Sequence, residues 1–414
     1  MASNREIDRF RDSSFQWVTR GSAKRIRFAA KAPRAPTTGV AVVNARRAFV
    51  EVVSPEELSL REDAWRDLAR RAEEPNPFAE REFLLPALRL AGKGLEIWLV
   101  WRDDSRGALI AILVPRGPRL GLGMARIWRS EQAGLAAMMF DAAGREDALE
   151  AVMARVRARR GVAGLVIPGV EPGGPLARAL RATAARSGSR LEMSNARRRA
   201  ALYLGGANFE DSLDKRRRKE WARQGRRLAE RGRLESRLAG GSDGIERFLA
   251  LEAKGWKGAR GTALGVDAAR LAFARAMLAA FAERGRLQIH ELALDGKSIA
   301  AGLTLRAGSR AFYWKTAYDE SYAENSPGVL LTLELSRRLA RETGLALVDS
   351  CALQDHPMID RIWPGRIELV DFALAAGASR GWRLSACVAL ERAWAAARER
   401  AKRIVNRLRG SKRS

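Results

Sequence analysis

The run Ala311-Phe312-Tyr313-Trp314-Lys315-Thr316-Ala317-Tyr318 reads as an apolar, aromatic strand, yet it carries a lysine beside a phenol. A strand turns successive side chains to opposite faces, so Tyr313, Lys315 and Ala317 are expected on one side. Phe312, Trp314, Thr316 and Tyr318 are expected on the other. An ammonium held in an apolar sheet must be paired or wet, because a buried unpaired charge is costly or loses its proton. A polar cleft on the Tyr313/Lys315 face would meet that demand. Asp349, ending the next core strand, could meet Lys315 there, and His290 on an earlier strand could reach the same cleft. Lys315, Tyr313, Asp349 and His290 are therefore the candidate acid–base groups. The plainer reading of the same residues is a Lys315–Asp349 salt bridge and a structural histidine.

A second feature follows at once. Ser326-Pro327-Gly328 opens an amphipathic segment: a serine N-cap accepts from an orphan backbone N–H, proline at the first helical position loses nothing, and the glycine leaves the backbone bare. Such a bare helix start can receive an anion. His356 and Trp363, in Asp355-His356-Pro357-Met358-Ile359-Asp360-Arg361-Ile362-Trp363, are candidates to line an acceptor pocket, and Trp256 is either a ligand platform or core. Cys351 has no evident paired base, so a thiol nucleophile is not expected. With two cysteines, two histidines and no CxxC spacing, neither a metal site nor a disulfide framework is expected.

The elements that must position these groups come from a chain of 414 residues, long enough for two cores. Residues 1–45 read as a disordered basic leader and 46–205 as a first α/β half. Residues 206–380 form a second half, followed by a basic helix and tail over 381–414. Each half reads as two helices, three strands, a helix, a strand, a helical segment and a last strand, a repeat of architecture rather than of letters. The second half has its helices near Gly244–Lys254 and Asp267–Arg284, three antiparallel strands turning at Asp295-Gly296 and Gly308, the helix from Gly328, and strands at 345–352 and 367–374.

Lys and Arg number 75 against 48 acidic residues, a formal charge of +27. That field favours phosphates, nucleic acid or an anionic membrane surface, although arginine supplies 64 of the 75, as a GC-rich genome would also give. From Lys215 to Arg233 ten residues are basic and two acidic, on a helix whose Leu213, Trp221 and Leu228 form a thin apolar stripe. The C-terminal Glu391–Ser414 segment is likewise a basic amphipathic helix that could touch membrane or nucleic acid. The N-terminus lacks an apolar signal core, and no apolar run of about 18 residues occurs, so a cytoplasmic protein is expected.

The order of three antiparallel strands, the Ser326-Pro327-Gly328 helix and a parallel strand resembles the acyl-CoA-binding core of the GNAT acyltransferases. From Leu213 to Leu374 the chain is similar to the GNAT-like acetyltransferase domain of bacterial cellulose-biosynthesis (CelD-like) proteins. Trp256-Lys257, the aromatic strand before Tyr318-Asp319, and Ser326-Pro327-Gly328 match that pattern. The resemblance implies two GNAT-like halves, each a mixed, mainly antiparallel sheet flanked by helices. It implies acyl transfer, chiefly acetyl from acetyl-CoA, to an amine or a hydroxyl, with no metal. Tyr318, Ser326, Pro327, Gly328, Val329 and Leu330 are then the cofactor-binding positions, with the N–H groups of 328–330 aimed at the pyrophosphate. The usual GNAT phosphate loop is replaced here by Glu324-Asn325-Ser326-Pro327-Gly328. Some Fem-type relatives with doubled halves take aminoacyl-tRNA as donor, and the basic helix before the second half keeps that alternative open. So does a non-catalytic nucleic-acid or membrane-surface binder.

Overall fold

The computed structural model describes residues 48–410 apart from 93, 104–106, 119–122, 207–208, 256–260 and 262. Strand β1 (Ala48–Val53) is followed by helices α1 (Pro55–Ser59), α2 (Glu62–Arg71) and α3 (Arg81–Ala91). Ser54 opens α1 with a capping box: its hydroxyl accepts from Glu57 N–H while the Glu57 carboxylate accepts from Ser54 N–H. Next come β2 (Ile97–Arg102), β3 (Leu109–Leu113), the hairpin of β4 (Pro115–Arg116) and β5 (Gly123–Ile127), and β6 (Met138–Phe140). Helix α4 (Arg145–Ala158), β7 (Val162–Val170), α5 (Pro175–Ser187) and β8 (Leu191–Tyr203) complete the first half.

The second half opens with α6 (Lys215–Ala229), capped by the Asp214 carboxylate on Arg217 N–H, and β9 (Leu234–Ala239). Helices α7 (Gly241–Lys254) and α8 (Ala268–Glu283) lead to β10 (Leu287–Leu294), β11 (Lys297–Ala307) and β12 (Arg310–Tyr318). The β10–β11 turn holds Asp295 and Gly296 at φ 49° and 79°, the left-handed pair that a tight two-residue hairpin requires. Helix α9 (Pro327–Ala340), β13 (Leu347–Asp349), β14 (Gly365–Ala375) and α10 (Gly381–Gly410) finish the described chain.

Two sheets result. One has the order β1-β2-β3-β6, and the other, of ten strands, runs β4-β5-β7-β14-β8-β13-β12-β11-β10-β9. The centre of the larger sheet is an exchange between halves. β8, the last strand of the first half, pairs with β13 of the second, while β14, the last strand of the second, pairs with β7 of the first. The two exchanged strands run antiparallel to each other over Gly365–Leu374 and Ala201–Leu191. Each half thus donates its closing strand to the other. Residues 46–414 accordingly cluster as one unit.

The faces of the large sheet are covered differently. Ala201, Ile367 and Leu369 pack toward Leu135 of the first half, and Phe312 and Trp314 toward α7 and α8. On the opposite face Ala200 and Leu202 pack under α9, and Val370, Phe372 and Leu374 under α4 and α5, whereas Ala373 and Ala375, on the side of Ile367 and Leu369, pack under Leu384 and Val388 of α10. Trp221 of α6 joins the α9 cluster. The fold is thus α/β, with mixed, mainly antiparallel sheets flanked by helices. The expected leader over 1–45 lies outside the described residues, and among those described no helix is long and apolar enough to cross a membrane.

Candidate functional site

β12 and β13 lie parallel for three rungs, Arg310–Phe312 against Leu347–Asp349, and then part. β12 continues to Tyr318. The other chain turns away because Asp349 Oδ1 accepts from Cys351 N–H at 2.8 Å and Cys351 adopts a left-handed φ of 51°. Among the described residues no strand takes up the vacated edge of β12, so alternate backbone groups of Tyr313–Tyr318 face a crevice.

The first correction lies along this edge. Leu303 pairs with Lys315 but Thr304 pairs with Tyr313, so Trp314 is an extra residue, a β-bulge. A bulge breaks strict alternation, and Tyr313 and Lys315 therefore lie on opposite faces rather than sharing one. Tyr313 is buried under α9 with its ring against Trp363, centroids 5.8 Å apart. Gly302 makes room for it: a Cβ there would sit 2.8 Å from Tyr313 Cε2. The Thr332 hydroxyl donates to the Gly328 carbonyl at 2.7 Å, so the Tyr313 phenol, 3.2 Å away, donates to Thr332 Oγ1. Burial pushes the phenol's pKa up. Trp363 is wholly buried and donates to Ser336 Oγ at 2.8 Å, a place in the core and not on a pocket wall.

Lys315 lies instead on the α7 side, its Nζ 3.6 Å from Glu252 Oε1 and 5.4 Å from the Trp314 ring centre. The Glu252 side chain is fully buried, and its other oxygen accepts from Leu264 N–H at 2.9 Å. Asp349 does not meet Lys315, which is the second correction. It forms a short buried ion pair with Arg199 of β8, whose other nitrogen donates to the Gly134 carbonyl at 2.9 Å. Burial opposes the Arg199 charge, yet the Asp349 carboxylate holds its pKa above the ordinary value. His290 is buried beneath α9, where desolvation and then Arg338 lower its pKa to about 3. Burial, with Asp349, pushes the Cys351 thiol well up, so it is no thiolate nucleophile.

At the start of α9 the third correction applies. Ser326 is left-handed, at φ 47°, and its hydroxyl caps nothing; its carbonyl instead accepts from Val329 N–H at 2.9 Å and Leu330 N–H at 3.2 Å. Pro327 has no N–H, so of residues 327–330 only Gly328 retains an amide for an anion. The Tyr318 ring and Met358 flank that position, 3.5 and 3.7 Å from where a Gly328 Cβ would lie. The Arg231 guanidinium stands at the same end, 3.5 Å from Asn325 Oδ1 and over the Tyr322 ring at 4.7 Å. His356 lies two residues before Met358. Its Nδ1 accepts from Met358 and Ile359 N–H at 3.3 and 3.4 Å, which leaves the proton of a neutral ring on Nε2. Trp256 lies outside the described residues.

Tyr318, Gly328 and the edge of β12 are thus brought together, as the sequence led us to expect, whereas Asp349 and His290 are held elsewhere. Glu252, Arg199 and Arg231 were missed. Glu252 had a signal, for it falls on the apolar stripe Ile245-Phe248-Leu249 of α7, where a carboxylate needs a reason. Arg231 was lost in the crowd of its basic neighbours.

Residues 215–355 match the family model described as the acetyltransferase (GNAT) domain. This segment is similar to that family. It contains the β12–β13 crevice, the bulge and the start of α9, and it spans about a third of the 414 residues. Among curated proteins none matches. Solved structures similar to the chain include that of FemX, at 14% identity, covering 78% of this chain and 96% of that one with a TM-score of 0.49. A tandem GNAT protein from the clavulanic acid biosynthesis pathway is 18% identical, with 80% and 99% covered and a TM-score of 0.40. The C-terminal domain of a putative lysylphosphatidylglycerol synthetase from Agrobacterium fabrum is 14% identical, with 80% and 96% covered and a TM-score of 0.46.

Proposed function

We propose that the protein is a cytoplasmic acyl-CoA-dependent acyltransferase that moves an acetyl group from acetyl-CoA to an amine, or to a hydroxyl, of an acceptor. The observation that carries this reading is the parting of β12 from β13 beside the start of α9, within the segment that matches the GNAT domain. An extended thioester fits such a crevice as a pseudo-strand: its amides pair with β12 on the side where β13 turns away, and its carbonyl oxygen takes an N–H near the Trp314 bulge. The pyrophosphate then lies at the Gly328 amide with Arg231 supplying charge. The neutral amine attacks the thioester carbon, the oxyanion collapses to expel the CoA thiolate, and the surplus amine proton leaves through the Lys315–Glu252 pair. Residues 206–380 act as the transferase half and 46–205 as the half that supports it or selects the acceptor. The CelD-like resemblance belongs with this reading.

Calorimetric titration with acetyl-CoA, followed by thiol release across a panel of amines, tests it. The expected result is saturable binding that Arg231→Gln weakens by about tenfold, the worth of one charge-assisted contact. An unchanged affinity in that variant, or no binding by the parent, sinks the assignment. A second reading, in which the acyl group arrives on an RNA, draws on α6: Lys215–Lys219, Arg223, Arg226 and Arg227 are all exposed beside the start of α9. Retention of tRNA at low salt without affinity for acetyl-CoA would favour it.

A further inference from the structure

Helix α10 has two apolar sides, one packed on the sheet and the other largely exposed. Leu384 and Val388 are 0% and 3% exposed, packed on Val166, Ala373 and Ala375. Trp382, Leu390 and Trp394, by contrast, are each 69% exposed. At 100° per residue, Trp382, Ala386, Leu390, Trp394 and Ala397 fall within about a third of the helix circumference, well away from Leu384 and Val388. In the sequence, Ala401, Ile404 and Leu408 recur at the same period. From Gly381 to Gly410 eight residues are basic and two acidic, Arg383 and Arg400 falling within the stripe's own third of the circumference, and two further basic residues follow by Arg413. The Arg383 guanidinium covers the Trp382 ring at 5.3 Å.

We infer that α10 docks the protein, face down, on a bilayer rich in anionic phospholipid. Charge and apolarity together select this occupant. A second copy would set two strongly cationic helices against each other, and a nucleic acid would satisfy the arginines while leaving Trp382, Leu390 and Trp394 in water. A bilayer surface takes both: the stripe enters the acyl boundary, the indole rings sit at headgroup level, and the arginines reach the phosphates.

Flotation of the full chain with vesicles tests this. With an equimolar mixture of phosphatidylcholine and phosphatidylglycerol the parent should float, less so as salt rises, and it should float poorly with phosphatidylcholine alone. The double variant Leu390→Asp, Trp394→Asp should partition about tenfold or more less, the factor expected when a leucine and an indole leave the apolar phase. Its thermal unfolding and acetyl-CoA titration should match the parent, because neither side chain belongs to the crevice; Ala397→Asp, on the same stripe, provides a milder check. A parent that stays in the aqueous phase overturns the inference, as does a double variant that floats equally well. So does a lipid-free dimer, or RNA retention, that the same substitutions abolish.

Discussion

His290 shows how a single residue can invert its reading between sequence and structure. On β10 it had the right type to take a proton, but burial beneath α9 lowers its pKa to about 3. A base depressed in the folded state contributes stability that is complete above the unfolded pKa, about 6.5, and is lost as pH falls toward 3. Between pH 6.5 and 3 His290 should thus steepen acid destabilisation by about 1.4 kcal/mol per pH unit. Urea unfolding of the parent and His290→Asn at pH 7 and pH 5 should show the gap between them changing by about 2 kcal/mol in the variant's favour. An unchanged gap would mean the histidine is wet. For Lys315 and Glu252 a double-mutant cycle separates chemistry from packing. Lys315→Met removes a partner from a fully buried carboxylate and should cost on the order of 1–3 kcal/mol, which adding Glu252→Gln should largely restore. If the pair moves the proton, turnover stays about tenfold or more below the parent in the restored double variant; full activity there would make the pair structural.

At the scale of elements, the meeting of β11 and β12 rests on one absent side chain. Gly302 lies opposite Thr316 in the ladder, and the Tyr313 ring crosses the space a Cβ would fill, at 2.8 Å. The ring is wedged between Trp363 and α9 and has nowhere to withdraw. Gly302→Val should therefore destabilise by about 1–3 kcal/mol and displace the phenol from Thr332, a shift visible in near-UV circular dichroism. Native stability and an unaltered spectrum would contradict this packing. The bulge matters for the same strand, since it turns Lys315 to the α7 side while leaving Tyr313 beneath α9. Period-two patterning cannot register an extra residue, which is why the sequence put both on one face.

At the scale of the whole molecule, the exchange of β8 and β14 makes the halves interdependent. Residues 206–380 expressed alone would leave β14 without β7 and β8, and β13 without β8, baring long apolar edges. That fragment should be insoluble or unfolded by itself and should recover structure when co-expressed with residues 46–205, as read by co-purification and circular dichroism. A stable, acetyl-CoA-binding fragment would show that the exchanged strands are dispensable.

By itself the sequence determined many of the local elements, because these follow from short-range causes: Asp214 and Ser54 cap helices, Asp295-Gly296 turns a hairpin, and Trp65 and Leu68 keep helical spacing. It also marked Gly328 and Tyr318, which meet at the start of α9 as one turn of chain requires. What it could not carry were partners distant along the chain. Arg199 and Asp349 are 150 residues apart, and Lys315 finds Glu252 across a helix–sheet contact. Their pairing depends on which strand of which half lies beside which. That order is decided by closing both sheet edges at once through the β8–β14 exchange, a global saving in unpaired backbone that no local pattern records.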